Sequence, residues 1–129
     1  MKVKKVYLLF SLIIIITLLS WISSCKHAAD ISGLPEVCFE GEVLPIFKNS
    51  CALTACHDGT GESDLVLNNY EGIMEGIKSG DPADSEIYEA ITNSGDDRMP
   101  PDQPLSTDNR TLIMVWIEQG AEQTTCPGK

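Results

Sequence analysis

The 129-residue chain holds only two histidines, His27 and His57, and that scarcity limits its chemistry at once. A Ser-His-Asp hydrolase needs a histidine between nucleophile and carboxylate, and no such set is present, so hydrolysis has no support. A structural zinc site needs four ligands, and no nearby C-x-x-C or H-x-x-x-H pair supplies the missing ones. There is no phosphate-binding glycine loop. Basic residues are few as well, nine Lys and Arg against 19 Asp and Glu. Setting aside residues 1–24, which carry three of the lysines, leaves six basic residues against 19 acidic ones, a balance of about −13. That balance argues against nucleic acid and against adhesion of the domain to an anionic surface. It permits steering toward a basic partner, although solubility alone accounts for most of the charge. Strand alternation of any length is missing too, so the expected fold is all-α.

What is present centres on Cys51-Ala52-Leu53-Thr54-Ala55-Cys56-His57. Two cysteines followed directly by a histidine read as a covalent c-type haem attachment site, here with four residues between the cysteines rather than the usual two. Each thiol can add across one haem vinyl group, and a histidine next to the second thioether is held beside the iron. The Cys56-His57 adjacency that this geometry needs is intact. The extra residues can bulge away from the ring, and small side chains suit a loop lying against a flat macrocycle. Two other readings stay open at this point: a tight Cys51–Cys56 disulfide with His57 as a bystander, and an incomplete zinc site.

Residues 1–24 stand apart from the fold. Lys2, Lys4 and Lys5 precede an apolar run from Val6 to Leu19, and Ile22-Ser23-Ser24-Cys25 follows. This resembles the lipobox of bacterial lipoproteins, which implies a signal peptide over 1–24 and lipid attached to Cys25. An uncleaved membrane anchor is the alternative, since the apolar run is near the lower limit for spanning. Either places the domain outside the cytoplasm and tethered to a membrane. Residues 25–36 read as a linker, with Gly33, Pro35 and a solvated His27. The domain then occupies 37–129. Cys38 and Cys126 flank it in a compartment that tolerates disulfides. Pairing them would close a long loop and add on the order of 4–5 kcal/mol in the chain-entropy model, with two free or intermolecular thiols as the alternative.

Four short helices are expected. Phe39, Val43 and Phe47 recur every four residues, and Pro45 sets the start of that helix between Glu42 and Leu44. Tyr70, Ile73, Met74 and Ile77 share a face of a second helix weakened by Gly72 and Gly76. Asp84 or Ser85 can cap a third over Glu86–Thr92, with Ile87, Tyr88 and Ile91 inward. The last is clearest: Ser106 caps it, Asp108 suits its positive end, Leu112, Ile113, Trp116 and Ile117 form its stripe, and Gly120 ends it. Between the third and fourth lies a polar loop stiffened by Pro100, Pro101 and Pro104. Met99 in that loop has little to pack against, unlike Met74 and Met114 on apolar helical faces. A stiff loop presenting a thioether suits distal haem ligation, and a surface methionine is the plainer alternative.

The order of helix, C…CH, weak middle helices, Met-Pro loop and terminal helix resembles class I cytochrome c. The segments EVLPIFKNSC, SGDPADSEIYEAI, RMPP and LIMVWIEQGA are most similar to the short planctomycete-type cytochrome c domains of bacterial envelope proteins. The resemblance covers about residues 38–122. It implies a monohaem fold with crossing first and last helices, one haem c on Cys51 and Cys56, and iron ligated by His57 and Met99. The expected pocket draws on Phe47, Leu65, Tyr70, Ile87, Leu112 and Trp116. The expectation is therefore a membrane-anchored carrier of single electrons in the cell envelope, itself not an enzyme, with redox proteins as partners. A haem enzyme or gas sensor with an open iron site is one rival. A haem-free, disulfide-bonded lipoprotein is the other.

Overall fold

A computed structural model describes residues 30–61 and 63–126, together with Lys4 and Tyr7. The chain divides into two compact units, Met1–Asp30 and Ile31–Lys129, and the account below concerns the second. Apart from Lys4 and Tyr7, the expected signal peptide lies outside the described residues, as do Cys25 and His27. Among the described residues there are four α-helices and no strand: α1 Leu44–Ser50, α2 Tyr70–Met74, α3 Glu86–Thr92 and α4 Thr107–Glu118. No helix among them is long and apolar enough to cross a membrane.

The first helix is entered through a wide turn. Phe39–Val43 form a π-helical turn that runs straight into α1, with Pro45 at the start of the α-helical part. Proline cannot donate to the carbonyl four residues back, and its ring crowds that carbonyl. Widening the preceding turn relieves the crowding, so helical backbone begins earlier than the proline alone suggests. Phe39, Val43 and Phe47 are all fully buried, as their spacing requires.

The second helix is shorter than its apolar face. Asn69 caps it by accepting the Gly72 N–H at 2.9 Å. After Met74 the backbone tightens, with Gly76 N–H bonded to Ile73 O at 3.2 Å and Ile77 N–H to Met74 O at 3.4 Å. Gly72 is a close-approach residue here rather than merely a weak helix former, because a Cβ at that position would collide with the Val66 carbonyl oxygen.

Helix α3 has the expected bounds but a different capping arrangement. Ser85 precedes it without capping it. Its buried hydroxyl instead donates to Asp81 O at 2.8 Å and accepts the Lys78 N–H at 2.9 Å, which folds a 3-10 turn over Pro82–Asp84. Helix α4 is capped by Ser106, which accepts the Asn109 N–H at 3.1 Å. Ile113, Trp116 and Ile117 are buried along it, Val115 joins them, and Leu112 is half-buried.

The core gathers where α4 meets the π-turn, α3 and the 3-10 turn. Phe39 sits at its centre, edge-on to Tyr70 at 5.1 Å between ring centroids and tilted to Trp116 at 5.3 Å. The segment after α4 returns to the start of the domain. Thr124 accepts the Phe39 N–H through Oγ1 at 3.0 Å and the Glu40 N–H through its carbonyl at 3.1 Å. Gln119 bonds Val37 and Pro35, and a disulfide joins Cys38 to Cys126.

Gly72→Ala tests this packing with an unusual sign. Helix propensity favours alanine by about 1 kcal/mol, whereas the clash with Val66 should destabilise by about 1–3 kcal/mol. A lowered urea midpoint is expected; a raised one would contradict the close approach.

Candidate functional site

The cysteine-histidine segment is a loop closed on itself. Helix α1 ends at Cys51, whose N–H still bonds Phe47 O at 2.8 Å, and Ala52 N–H shares the same carbonyl at 2.9 Å. A turn follows in which Cys56 N–H bonds Leu53 O at 2.9 Å. His57 N–H then returns to Cys51 O at 3.3 Å, so the residues that bracket the loop are tied directly to each other. Ala55 adopts the left-handed region at φ 65°. A non-glycine residue there costs on the order of 1 kcal/mol and persists only where surrounding bonds hold it. Gly61 helps to hold it: a Cβ at that position would lie 2.7 Å from the carbonyl oxygens of both Ala55 and Cys56.

Within this loop the side chains divide cleanly. Ala52 packs against the core, while Leu53, Thr54 and Ala55 are exposed. Cys51 is a buried free thiol and Cys56 an exposed one. Burial, and secondarily the nearby Cys56 sulfur, push the Cys51 thiol up to about 11. Both sulfurs are unbridged, so the tight-disulfide reading is not what the structure holds. Among the described residues no group of three or more His, Cys, Asp or Glu could hold a metal ion, which leaves the zinc reading without a donor set.

His57 is fixed on every side. Its carbonyl accepts the Leu67 N–H at 2.8 Å, and the neighbouring Asp58 carbonyl accepts Asn68 Nδ2–H at 3.1 Å. Asp58 itself is drawn into an Asx turn, accepting the Thr60 hydroxyl at 2.7 Å and the Thr60 N–H at 2.9 Å. Those bonds favour the charged form and hold its carboxyl below the usual range, hydroxyl first. The imidazole Nδ1 lies 3.0 Å from the Leu65 carbonyl oxygen and 2.9 Å from Ser63 Oγ. Because a carbonyl can only accept, Nδ1 carries a proton, and in the neutral ring this leaves the lone pair on Nε2, the form in which imidazole is a metal ligand.

Met99 comes from a different loop, after α3. Its N–H bonds Ala90 O at 3.0 Å, the preceding Arg98 N–H bonds Gly95 O at 3.2 Å, and Arg98 Nη2 donates to Pro101 O at 3.1 Å. The backbone is thus pinned on both sides of a side chain that is 39% exposed. Met74 and Met114, by contrast, are half-buried against the core. The structure brings Cys51, Cys56 and His57 into one closed loop; among the described residues no hydrogen bond links that loop to the Met99 loop.

The apolar set expected around a haem is only partly free for that role. Phe47 and Ile87 are buried, and Leu65 and Leu112 are half-buried. Tyr70 and Trp116 are committed elsewhere: Tyr70 Oη donates to Ala121 O at 2.9 Å, Trp116 Nε1 donates to Glu122 O at 3.0 Å, and both rings face Phe39. Three residues to which the sequence assigned no site role enter instead. Ser63 reaches the histidine, and Arg98 and Arg110 each leave a buried Nε–H without a hydrogen-bond partner among the described residues.

Residues 54–103 match the model of the family described as planctomycete cytochrome C. The matched stretch takes in Cys56, His57 and Met99 and begins after Cys51. Comparison with curated proteins gave no match, and comparison with solved structures gave none.

The exposure of Cys56 and the burial of Cys51 make a direct check. On the haem-free chain with its disulfide intact, an alkylating reagent at pH 8 should label Cys56 first. Only roughly one Cys51 in a thousand is thiolate there, and labelling of Cys51 should accelerate as pH rises toward 11. Equal labelling rates at pH 8 would contradict the burial of Cys51.

Proposed function

Because residues 54–103 match the planctomycete cytochrome C family, whose domains carry covalently attached haem c, we propose that this chain is a membrane-tethered monohaem electron carrier of the bacterial cell envelope. The observation that carries the reading is the closed Cys51–His57 loop, with two unbridged thiols and an imidazole whose Nδ1 is already engaged. Cys51 and Cys56 would hold the haem through thioethers, and His57 Nε2 and Met99 Sδ would be the protein's ligands to its iron. When bound, the haem supplies one iron that alternates between two oxidation states.

The rest of the work falls to the protein. The Leu65 carbonyl keeps the His57 ring in its ligating form, so no proton need leave Nε2 when iron is bound. The pinned backbone around Met99 holds a weak thioether ligand in readiness, which lowers the entropy lost in outcompeting water. With both His57 and Met99 as ligands, the iron would have no open position for peroxide, oxygen or carbon monoxide, which would favour a carrier over an enzyme. The unpaired Nε–H groups of Arg98 and Arg110 suit the carboxylates of a haem on a domain otherwise rich in negative charge. Lipid on Cys25 would tether the domain to a membrane, and its excess of acidic residues would steer it toward basic redox partners.

An optical spectrum of protein matured in a host that makes c-type cytochromes tests the reading. Expected are sharp low-spin bands on reduction and a methionine–iron charge-transfer band that disappears in Met99→Ala. A reduced protein that binds carbon monoxide readily would instead mean an open iron position and a sensor or enzyme.

A further inference from the structure

Two oxygens face His57 Nδ1, and they are not equivalent. The Leu65 carbonyl, at 3.0 Å, can only accept. The Ser63 hydroxyl, at 2.9 Å, can donate or accept. A lone pair on Nδ1 would oppose the carbonyl lone pair, so the carbonyl favours Nδ1–H, and the hydroxyl, as a second acceptor, adds to that preference. Ser63 Oγ is suited to that part because it also accepts the Leu65 N–H, at 3.3 Å. Its two lone pairs are then spent on Leu65 and His57, and its own proton turns away from the ring. Ser63 thereby orients Leu65, whose N–H it holds and whose carbonyl closes the bond to the imidazole.

We infer that Ser63 is a positioning residue for the iron-facing histidine: its hydroxyl and the Leu65 carbonyl together fix the Nδ1–H tautomer and strengthen His57 as an electron donor through Nε2. The inference rests on the axial role proposed for His57. An acceptor on the distal nitrogen of a ligating imidazole raises the basicity of the ligating one, and a more basic ligand favours the oxidised metal. The Ser63 hydroxyl therefore lowers the reduction potential of the site. Two acceptors on one Nδ1–H also hold the ring plane more tightly than one.

The test compares Ser63→Ala with Ser63→Thr in the full-length, haem-loaded protein by spectroelectrochemistry. The alanine variant should show an upward shift in potential while keeping the methionine–iron band, and the threonine variant, which retains a hydroxyl, should return toward the wild-type value. An unshifted alanine variant would overturn the inference, as would a threonine variant that shifts as far as alanine. Nitrogen NMR of the haem-free chain gives a second readout that a merely structural role would not move. His57 should be Nδ1–H in the wild type and gain Nε2–H tautomer in Ser63→Ala; an unchanged tautomer balance overturns the inference even if the alanine variant fails to retain haem. Should the wild type carry no haem at all, the axial assignment fails, while the tautomer measurement still decides the role of Ser63.

Discussion

The hydrogen bond from His57 N–H back to Cys51 O, at 3.3 Å, is the tie on which the candidate site depends. It makes the four residues between the cysteines a closed bulge, so the longer spacing does not displace the histidine from the second cysteine's neighbourhood. A flexible loop of this length would have to be ordered at the moment of haem attachment, at roughly 1–2 kcal/mol per residue. Here the ordering is already present, maintained by the Leu67 bond to His57 O, the Asn68 bond to Asp58 O and the close pass of Gly61. The left-handed Ala55 marks where that order is held against local preference.

The rest of the fold supports this loop from below. Cys51 ends α1, and α1 continues from the π-turn whose Phe39 is enclosed by Tyr70 and Trp116. The chain after α4 crosses back over the same turn through Thr124 and the Cys38–Cys126 disulfide. Aromatic burial and a covalent clasp thus fix the helix that delivers the first cysteine. The excess of acidic residues leaves this core untouched and is free to serve solubility.

Much of this was legible in the residues because it is local. The bounds of α3, the Ser106 cap and the glycine that ends α4 follow from short-range capping rules, and the all-α class follows from periodicity without alternation. Elsewhere tertiary contacts prevailed. Ile77 lies on the apolar face of α2 but beyond its end, because the chain tightens after Met74. Ser85 looked like a cap and instead braces a 3-10 turn between Lys78 and Asp81. Trp116 and Tyr70 looked like pocket residues and turn toward Phe39. Ser63 gave no signal, since a serine in a polar loop carries no period and its partner lies six residues away. The cysteine-histidine motif was visible because its chemistry is written in adjacency; the second layer around it is written only in three dimensions.

The claim that everything else serves is covalent haem on the stretched motif. Peptide mass analysis of the matured protein, digested so that Cys51 to His57 stay on one fragment, tests it most directly. The account predicts a fragment heavier by one haem, with neither Cys51 nor Cys56 open to alkylation. A fragment of unmodified mass with both thiols alkylatable, from a host that matures this spacing, would contradict it.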